Sequence, residues 1–190
     1  MNKNILKINE KFKYKININY PVENSKMTNK IIYKVISNIE NKFINSSKRN
    51  AMLNIYYTLY VTYDKYRYDN ITSYIFKVSE YTGGAHPNNY LVSLRIRDNG
   101  SVITINTILD KAPNILIKLS NFSREKLISE NENNNDDTLS MIINGTRPNV
   151  KNFNNFAFTN DGLLVFFDYY QVAPYYSGIQ KVLIPYDNLL

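Results

Sequence analysis

The sequence predicts an α+β fold: a twisted antiparallel sheet, made of a central meander and a C-terminal hairpin, with two main helices packed on one face. Three observations carry this expectation. Apolar residues recur at helical spacing through Ile31, Ile32, Val35, Ile36, Ile39 and Phe43, with Lys30, Lys34 and Lys42 between them. Runs rich in β-branched and aromatic residues alternate through the middle of the chain. Turn signals separate those runs at Asp69-Asn70, Gly83-Gly84 and Asp98-Asn99-Gly100.

In chain order, Lys15 to Tyr20 alternates, with Ile16, Ile18 and Tyr20 on one side, and reads as a half-buried strand ended by Pro21. A helix is expected over 28–44, its start capped by Ser25 or Thr28. Met52 to Asp64 follows as a long strand, with Ile55, Tyr57, Leu59, Val61 and Tyr63 on one side and Tyr56, Thr58, Tyr60 and Thr62 on the other. Thr72 to Tyr81 returns as a second strand. In the third, Tyr90, Val92, Leu94 and Ile96 alternate with Leu91, Ser93, Arg95 and Arg97. Val102 to Thr107 is expected to complete a four-strand meander. Pro113 suits the first position of a second helix running through Ile115, Leu116, Leu119 and Phe122, as far as Ile128. Residues 130–137 are polar and Asn-rich and read as a mobile loop, and Asn144-Gly145 and Arg147-Pro148 as loop signals. Phe156 to Phe167, turning at Asn160-Asp161-Gly162, reads as a hairpin, and Ile179 to Ile184 as a last strand closed by Pro185. The 190 residues are expected to form a single domain, 1–190.

Composition narrows the function. There are 17 Tyr, 9 Phe, no Trp and no Cys, so disulfides and thiolate metal sites are excluded. The single His cannot supply a two-His metal set, and no Gly-rich phosphate loop with a Lys is present. Hence no metal and no cofactor is expected. Charge is uneven: residues 1–50 hold 11 Lys and Arg against 3 Asp and Glu, a net of +8, whereas residues 51–190 are near neutral. That quarter suits an anionic polymer or surface, but no aromatic and basic spacing of a nucleic-acid reader is present, so no nucleic-acid partner is expected. Met1 to Lys7 has no apolar core of a signal peptide, and no apolar run approaches the roughly 20 residues that span a bilayer. The chain is then either cytosolic or part of a longer protein with a leader or anchor.

Two segments stand out as displayed loops. Tyr81-Thr82-Gly83-Gly84-Ala85-His86-Pro87-Asn88 holds the only His between two strands. Its paired glycines permit positive φ, and Pro87 disfavours helix at His86. The second is Tyr169, Tyr170, Tyr175 and Tyr176 around Pro174. Amphipathic rings in such a loop suit contact with protein or sugar. The candidate binding residues are therefore Tyr81, Gly83, Gly84, His86, Asn88, Tyr170, Pro174, Tyr175 and Tyr176. No catalytic residue is expected. A His86 general base would need an orienting carboxylate, with Glu80 and Asp168 the candidates.

These same residues carry a family resemblance. Ile16 to Pro21 with the helix 28–44, the Tyr81-to-Asn88 loop, and Phe153 to Pro185 with Phe156-x-Phe158, Gly162-Leu163, Phe167-Asp168-x-Tyr170-x-Val172-Ala173-Pro174-Tyr175, Gly178 and Val182-x-Ile184-Pro185-Tyr186 cover about 15–190. The chain resembles the extracytoplasmic domain shared by RsiV-type lysozyme-sensing anti-sigma factors and by the accessory, non-catalytic part of PdaC-type polysaccharide deacetylases. It departs from the family at Asp168-Tyr169-Tyr170, where Asp-Pro-Tyr is common, and it lacks a sigma-binding segment and a membrane helix.

The resemblance implies an α+β fold, no catalysis, and an extracytoplasmic or cell-surface location. Its implied partner is a protein such as lysozyme or peptidoglycan and other wall polymer. A basic lysozyme would be repelled by the N-terminal charge at low salt, whereas acidic wall polymer would be drawn to it. The alternatives are a cell-wall glycan hydrolase or deacetylase centred on His86, and an accessory structural module of a larger surface protein.

Overall fold

The structure is a computed structural model that describes residues 1–49, 55–130 and 136–189. The chain divides into two compact units. The first comprises residues 1–64 and 76–92, and the second residues 65–75 and 93–190. Among the described residues no helix is long and apolar enough to cross a membrane.

In the first unit, β1 (Asn2–Asn9) pairs antiparallel with β2 (Tyr14–Pro21), setting Ile5 opposite Ile18 and Lys7 opposite Ile16. The helix α1 (Lys26–Arg49) then carries the chain across to β3 (Tyr57–Tyr68), which pairs with β2 in parallel, Ile16 to Leu59 and Ile18 to Val61. Two parallel neighbours need such a crossover. The sheet, in the order β1-β2-β3-β4-β5, is therefore mixed, with antiparallel pairing at its β1 edge. The helical periodicity places Ile32, Ile36, Ile39 and Phe43 in the core, where Phe43 meets Tyr14 edge-on at 6.1 Å. Ser25 accepts the Thr28 amide at 3.2 Å, so Ser25 rather than Thr28 closes the helix start. Buried Glu40 on α1 is paired with Lys7 of β1.

The strand β4 (Ile71–Tyr81) follows a two-residue turn at Asp69-Asn70, where Asp69 takes φ 45°. The expected strand start at Met52 lies outside the described residues. β5 (Asn88–Arg97) follows the Gly-Gly loop. β3, β4 and β5 each run through both units.

The second unit contains α2 (Ile105–Leu109), α3 (Ile115–Glu130), α4 (Asp136–Gly145) and an antiparallel sheet ordered β6 (Phe156–Phe158), β7 (Leu163–Phe167), β8 (Gln180–Ile184). Its core joins Ile115, Leu119 and Leu127 of α3 to Phe156, Val165, Phe167, Val182 and Ile184 of the sheet.

Several expectations are corrected here. Val102 to Thr107 is not a fourth meander strand. The Asp98–Gly100 turn forms, but only Val102 bridges back, to Ile96, and Thr104 and Thr107 form a capping box that starts α2. α3 begins two residues after Pro113. The loop expected over 130–137 falls largely on residues 131–135, outside those described, while Glu130 ends α3 and Asp136 begins α4.

Arg95 is not on a wet face. It is buried and donates from Nε to the Ile103 carbonyl (2.9 Å). From Nη1 it donates to Ser93 Oγ (2.7 Å) and the Asn154 (2.9 Å) and Phe156 (3.3 Å) carbonyls. Its guanidinium lies 3.9 Å from the centre of the Phe156 ring.

Candidate functional site

The loop 82–87 leaves β4 at Tyr81, whose hydroxyl donates back to the Gly84 carbonyl at 3.2 Å. Gly83 (φ 87°) and Gly84 (φ 138°) take backbone angles that a side chain would strain, which lets the chain fold over the tyrosine. His86 and Asn88 are exposed. The His86 Nδ1 lies 2.8 Å from the Pro87 carbonyl. A carbonyl only accepts, so Nδ1 carries the proton in that contact. Glu80 is buried and accepts the Tyr90 hydroxyl at 3.4 Å, and that contact with burial pushes the phenol up to about 12, burial being the larger cause.

The second loop, in the other unit, is built around three tyrosines. Tyr175 stacks on Tyr169 at 5.1 Å and on Tyr170 at 5.4 Å, both tilted by little more than 30°. Tyr170 is 56% exposed and Tyr176 88% exposed, while Tyr169, Pro174 and Tyr175 are half-buried. Tyr170 holds φ 62°, a left-handed angle that is costly for an aromatic residue.

Gln171 is what holds it there. Its amide donates to the Gly145 and Asn152 carbonyls, each at 3.0 Å, and its oxygen accepts the Asp168 amide at 3.0 Å. The Asp168 carbonyl in turn accepts the Gln171 amide at 3.1 Å. Gly145 at the end of α4 lets this backbone in, since a Cβ there would stand 2.0 Å from the Gln171 carbonyl oxygen. Val172 is buried in the core beside this anchor. The loop is thus tied to α4 and to the turn 150–153 while Tyr170 and Tyr176 stay exposed.

Gln171 and Gly145 are residues that sequence reasoning missed. Their only trace in the chain is a polar residue between the tyrosines and a glycine read as a loop marker. Asp168, weighed as a partner for His86, accepts Asn155 Nδ2 at 3.4 Å. Among the described residues no group of three or more acidic or His side chains is placed to hold a metal ion.

One concave feature lies in the first unit. A groove of about 260 Å³ is lined by Val35, Asn38, Ile39 and Lys42 of α1 and by Tyr90 and Val92 of β5. The Lys42 ammonium sits 4.9 Å from the centre of the Tyr90 ring.

Comparison with known proteins places these features. Residues 106–187 match the family described as "Protein of unknown function (DUF3298)". The tyrosine loop falls inside that match and the Gly-Gly loop outside it. The chain is 31% identical over 140 residues to "Peptidoglycan-N-acetylmuramic acid deacetylase PdaC" of Bacillus subtilis (strain 168), across 73% of this chain and 28% of the deacetylase. It thus spans little more than a quarter of that relative's length.

Two solved structures share the fold. A DUF3298 family protein from Pseudomonas aeruginosa PAO1 has a TM-score of 0.68 at 14% identity, covering 100% of this chain and 92% of that one. A member of the same family from Bacteroides fragilis NCTC 9343 has a TM-score of 0.61 at 17% identity, covering 98% of this chain and 90% of that one. The chain therefore carries the DUF3298 domain that it shares with PdaC-type proteins.

Proposed function

We propose that this chain is a non-enzymatic, extracytoplasmic binding domain that holds cell-wall glycan through the tyrosine loop 169–176. The observation that carries the reading is the Tyr169–Tyr175–Tyr170 stack, exposed at Tyr170 and half-buried at the other two rings, on a loop tied down by Gln171. A phenol ring offers an apolar face to the C–H face of a sugar and a hydroxyl to its hydroxyl groups. Rings already fixed in place lose little freedom on binding, so more of the contact energy becomes affinity.

The relative whose name specifies peptidoglycan supports the choice of polymer. In a longer protein, a domain that grips the polymer raises the effective concentration of substrate at a neighbouring catalytic domain. The Gly83–Asn88 loop, with Tyr81 beneath it and His86 exposed, is the second recognition element of this reading.

A protein ligand such as lysozyme is the second reading, favoured by Tyr176. A tyrosine 88% exposed at a loop tip is the kind of ring that fills a pocket on a partner. Titration calorimetry against peptidoglycan fragments and against lysozyme separates the two. Heat with the fragments, lost on Tyr170→Ala with Tyr175→Ala, is the expected result. Heat with lysozyme alone selects the second reading, and no heat with either contradicts both. A hydrolytic role for His86 is tested by turnover of the same fragments, which His86→Ala must abolish if that role exists.

A further inference from the structure

We propose that the tip of the β1–β2 hairpin is a docking site for an anionic polysaccharide, one that carries a carboxylate or phosphate on successive units. Four lysines converge there on two rings. Lys11 and Lys48 place their ammonium groups 5.5 and 5.8 Å from the centre of Phe12. Lys13 and Lys15 stand 5.3 and 4.5 Å from the centre of Tyr56. Among the described residues, the carboxylate in contact with this cluster is Glu10, which pairs with Lys13 at 3.3 Å and accepts the Tyr56 hydroxyl. Four cations thus face one anion.

The tip is shaped as well as charged. Asn9 Oδ1 accepts the Phe12 amide at 2.9 Å, Lys13 takes a left-handed φ of 48°, and its carbonyl accepts the Tyr57 amide at 2.8 Å. These bonds fix the backbone that carries Phe12 and Lys13, and the lysines lie in two pairs, each pair over one ring. A ring face draws each ammonium by its quadrupole and leaves its charge uncancelled.

A small anion meets one such pair, whereas a chain with repeated anionic groups meets both. Phe12 and Tyr56 are half-buried with ammonium groups set against them, so neither ring lies bare for a nucleobase to stack on. Four ammonium groups against one carboxylate favour charge recognition of a hydrophilic anionic chain. The site uses none of the residues of the tyrosine loop, and it stands or falls separately from the reading of that loop.

The test uses the full chain and polygalacturonate, a glycan with one carboxylate per sugar, with its methyl-esterified form as the uncharged match. Binding to the first and not the second is expected, weakening with salt at a log–log slope no steeper than about −3, from about −0.7 for each of four neutralised charges. Replacing Lys11, Lys13, Lys15 and Lys48 by Gln is expected to lower affinity at least about tenfold and to flatten that slope. Replacing Lys26, Lys30, Lys34 and Lys111 by Gln removes the same charge elsewhere and is expected to leave affinity within about twofold. Should the first variant unfold, Lys11→Gln with Lys48→Gln keeps the Tyr56 pair and is expected to halve the slope. Equal losses in the two quadruple variants would overturn the proposal, as would equal binding of the esterified polymer. Binding confined to vesicles of phosphatidylglycerol would overturn it too.

Discussion

Replacing Gln171 with Ala removes the anchor of the tyrosine loop without touching a ring. Three hydrogen bonds go with it, to Gly145, Asn152 and Asp168, all at 3.0 Å. At about 0.5–1.5 kcal/mol each the gross loss is roughly 1.5–4.5 kcal/mol. Gln171 is half-buried, so water recovers part of this, and about 2 kcal/mol is the expected net cost. Urea unfolding reads it as a midpoint lowered by about 1 M at a slope near 2 kcal/mol/M, with the slope itself unchanged. Gln171→Glu is the sharper companion, because it sets a carboxylate oxygen against the Gly145 and Asn152 carbonyls. It is expected to cost at least as much. Ligand affinity should fall in both variants although Gln171 is not proposed to touch the ligand, because Tyr170 is then no longer held at its left-handed angle. A loss of stability under about 0.5 kcal/mol in Gln171→Ala would refute the anchor, since an ordinary surface substitution costs that much.

Arg95→Met is expected to cost about 3 kcal/mol or more, because it leaves the Ile103, Asn154 and Phe156 carbonyls without their charged donor. Burial pushes the Arg95 pKa down to about 10, still above neutrality, so denaturant midpoints should show the same loss across about pH 6–8. Tyr90 and Tyr186 are both pushed up to about 12, chiefly by burial, whereas an ordinary phenol titrates near 10. A folded pKa above the unfolded one means that their contribution to stability is complete below about pH 10 and is lost as pH rises through about 12. Ultraviolet titration of native protein should show phenols ionising late, and the absence of any late class would contradict their burial. Tyr176→Ala should leave the unfolding free energy within about 0.5 kcal/mol of wild type, since the ring is 88% exposed. It should weaken a protein ligand by about 1–2 kcal/mol if the second reading holds, measured by calorimetry.

The parts of this fold legible in the sequence are those where one face is wet and the other dry. α1 announces itself because Ile32, Ile36, Ile39 and Phe43 are buried between exposed Lys30, Lys34 and Lys42. β2 and the first half of β3 do so for the same reason. β1 went unseen because Leu6 and Ile8 are exposed at the sheet edge and only Ile5 and Asn9 are even half-buried. Val102 to Thr107 misled because β-branched residues favour strands in general, while the reciprocal bonds of Thr104 and Thr107 start a helix locally. Arg95 alternated correctly with its apolar neighbours, yet both faces of β5 are covered at that point, a tertiary fact that no local pattern carries.

At the candidate site, the tyrosines and the Gly-Gly loop were legible as unusual composition. The framework behind them was not. Gln171 reaches Gly145 across 26 positions and Asn152 across 19, and such long-range hydrogen bonds leave no spacing signal. The basic tip of the β1–β2 hairpin was visible as charge alone; that Phe12 and Tyr56 gather the lysines in pairs depends on α1 bringing Lys48 back to the hairpin.

Cosedimentation with insoluble peptidoglycan, at a salt concentration that screens surface charge, tests the central claim most directly. Wild-type protein should pellet with the polymer, and the chain with Tyr170, Tyr175 and Tyr176 all changed to Ala should stay in solution while unfolding as a single cooperative unit. Equal pelleting of the two, with both folded, would contradict the account.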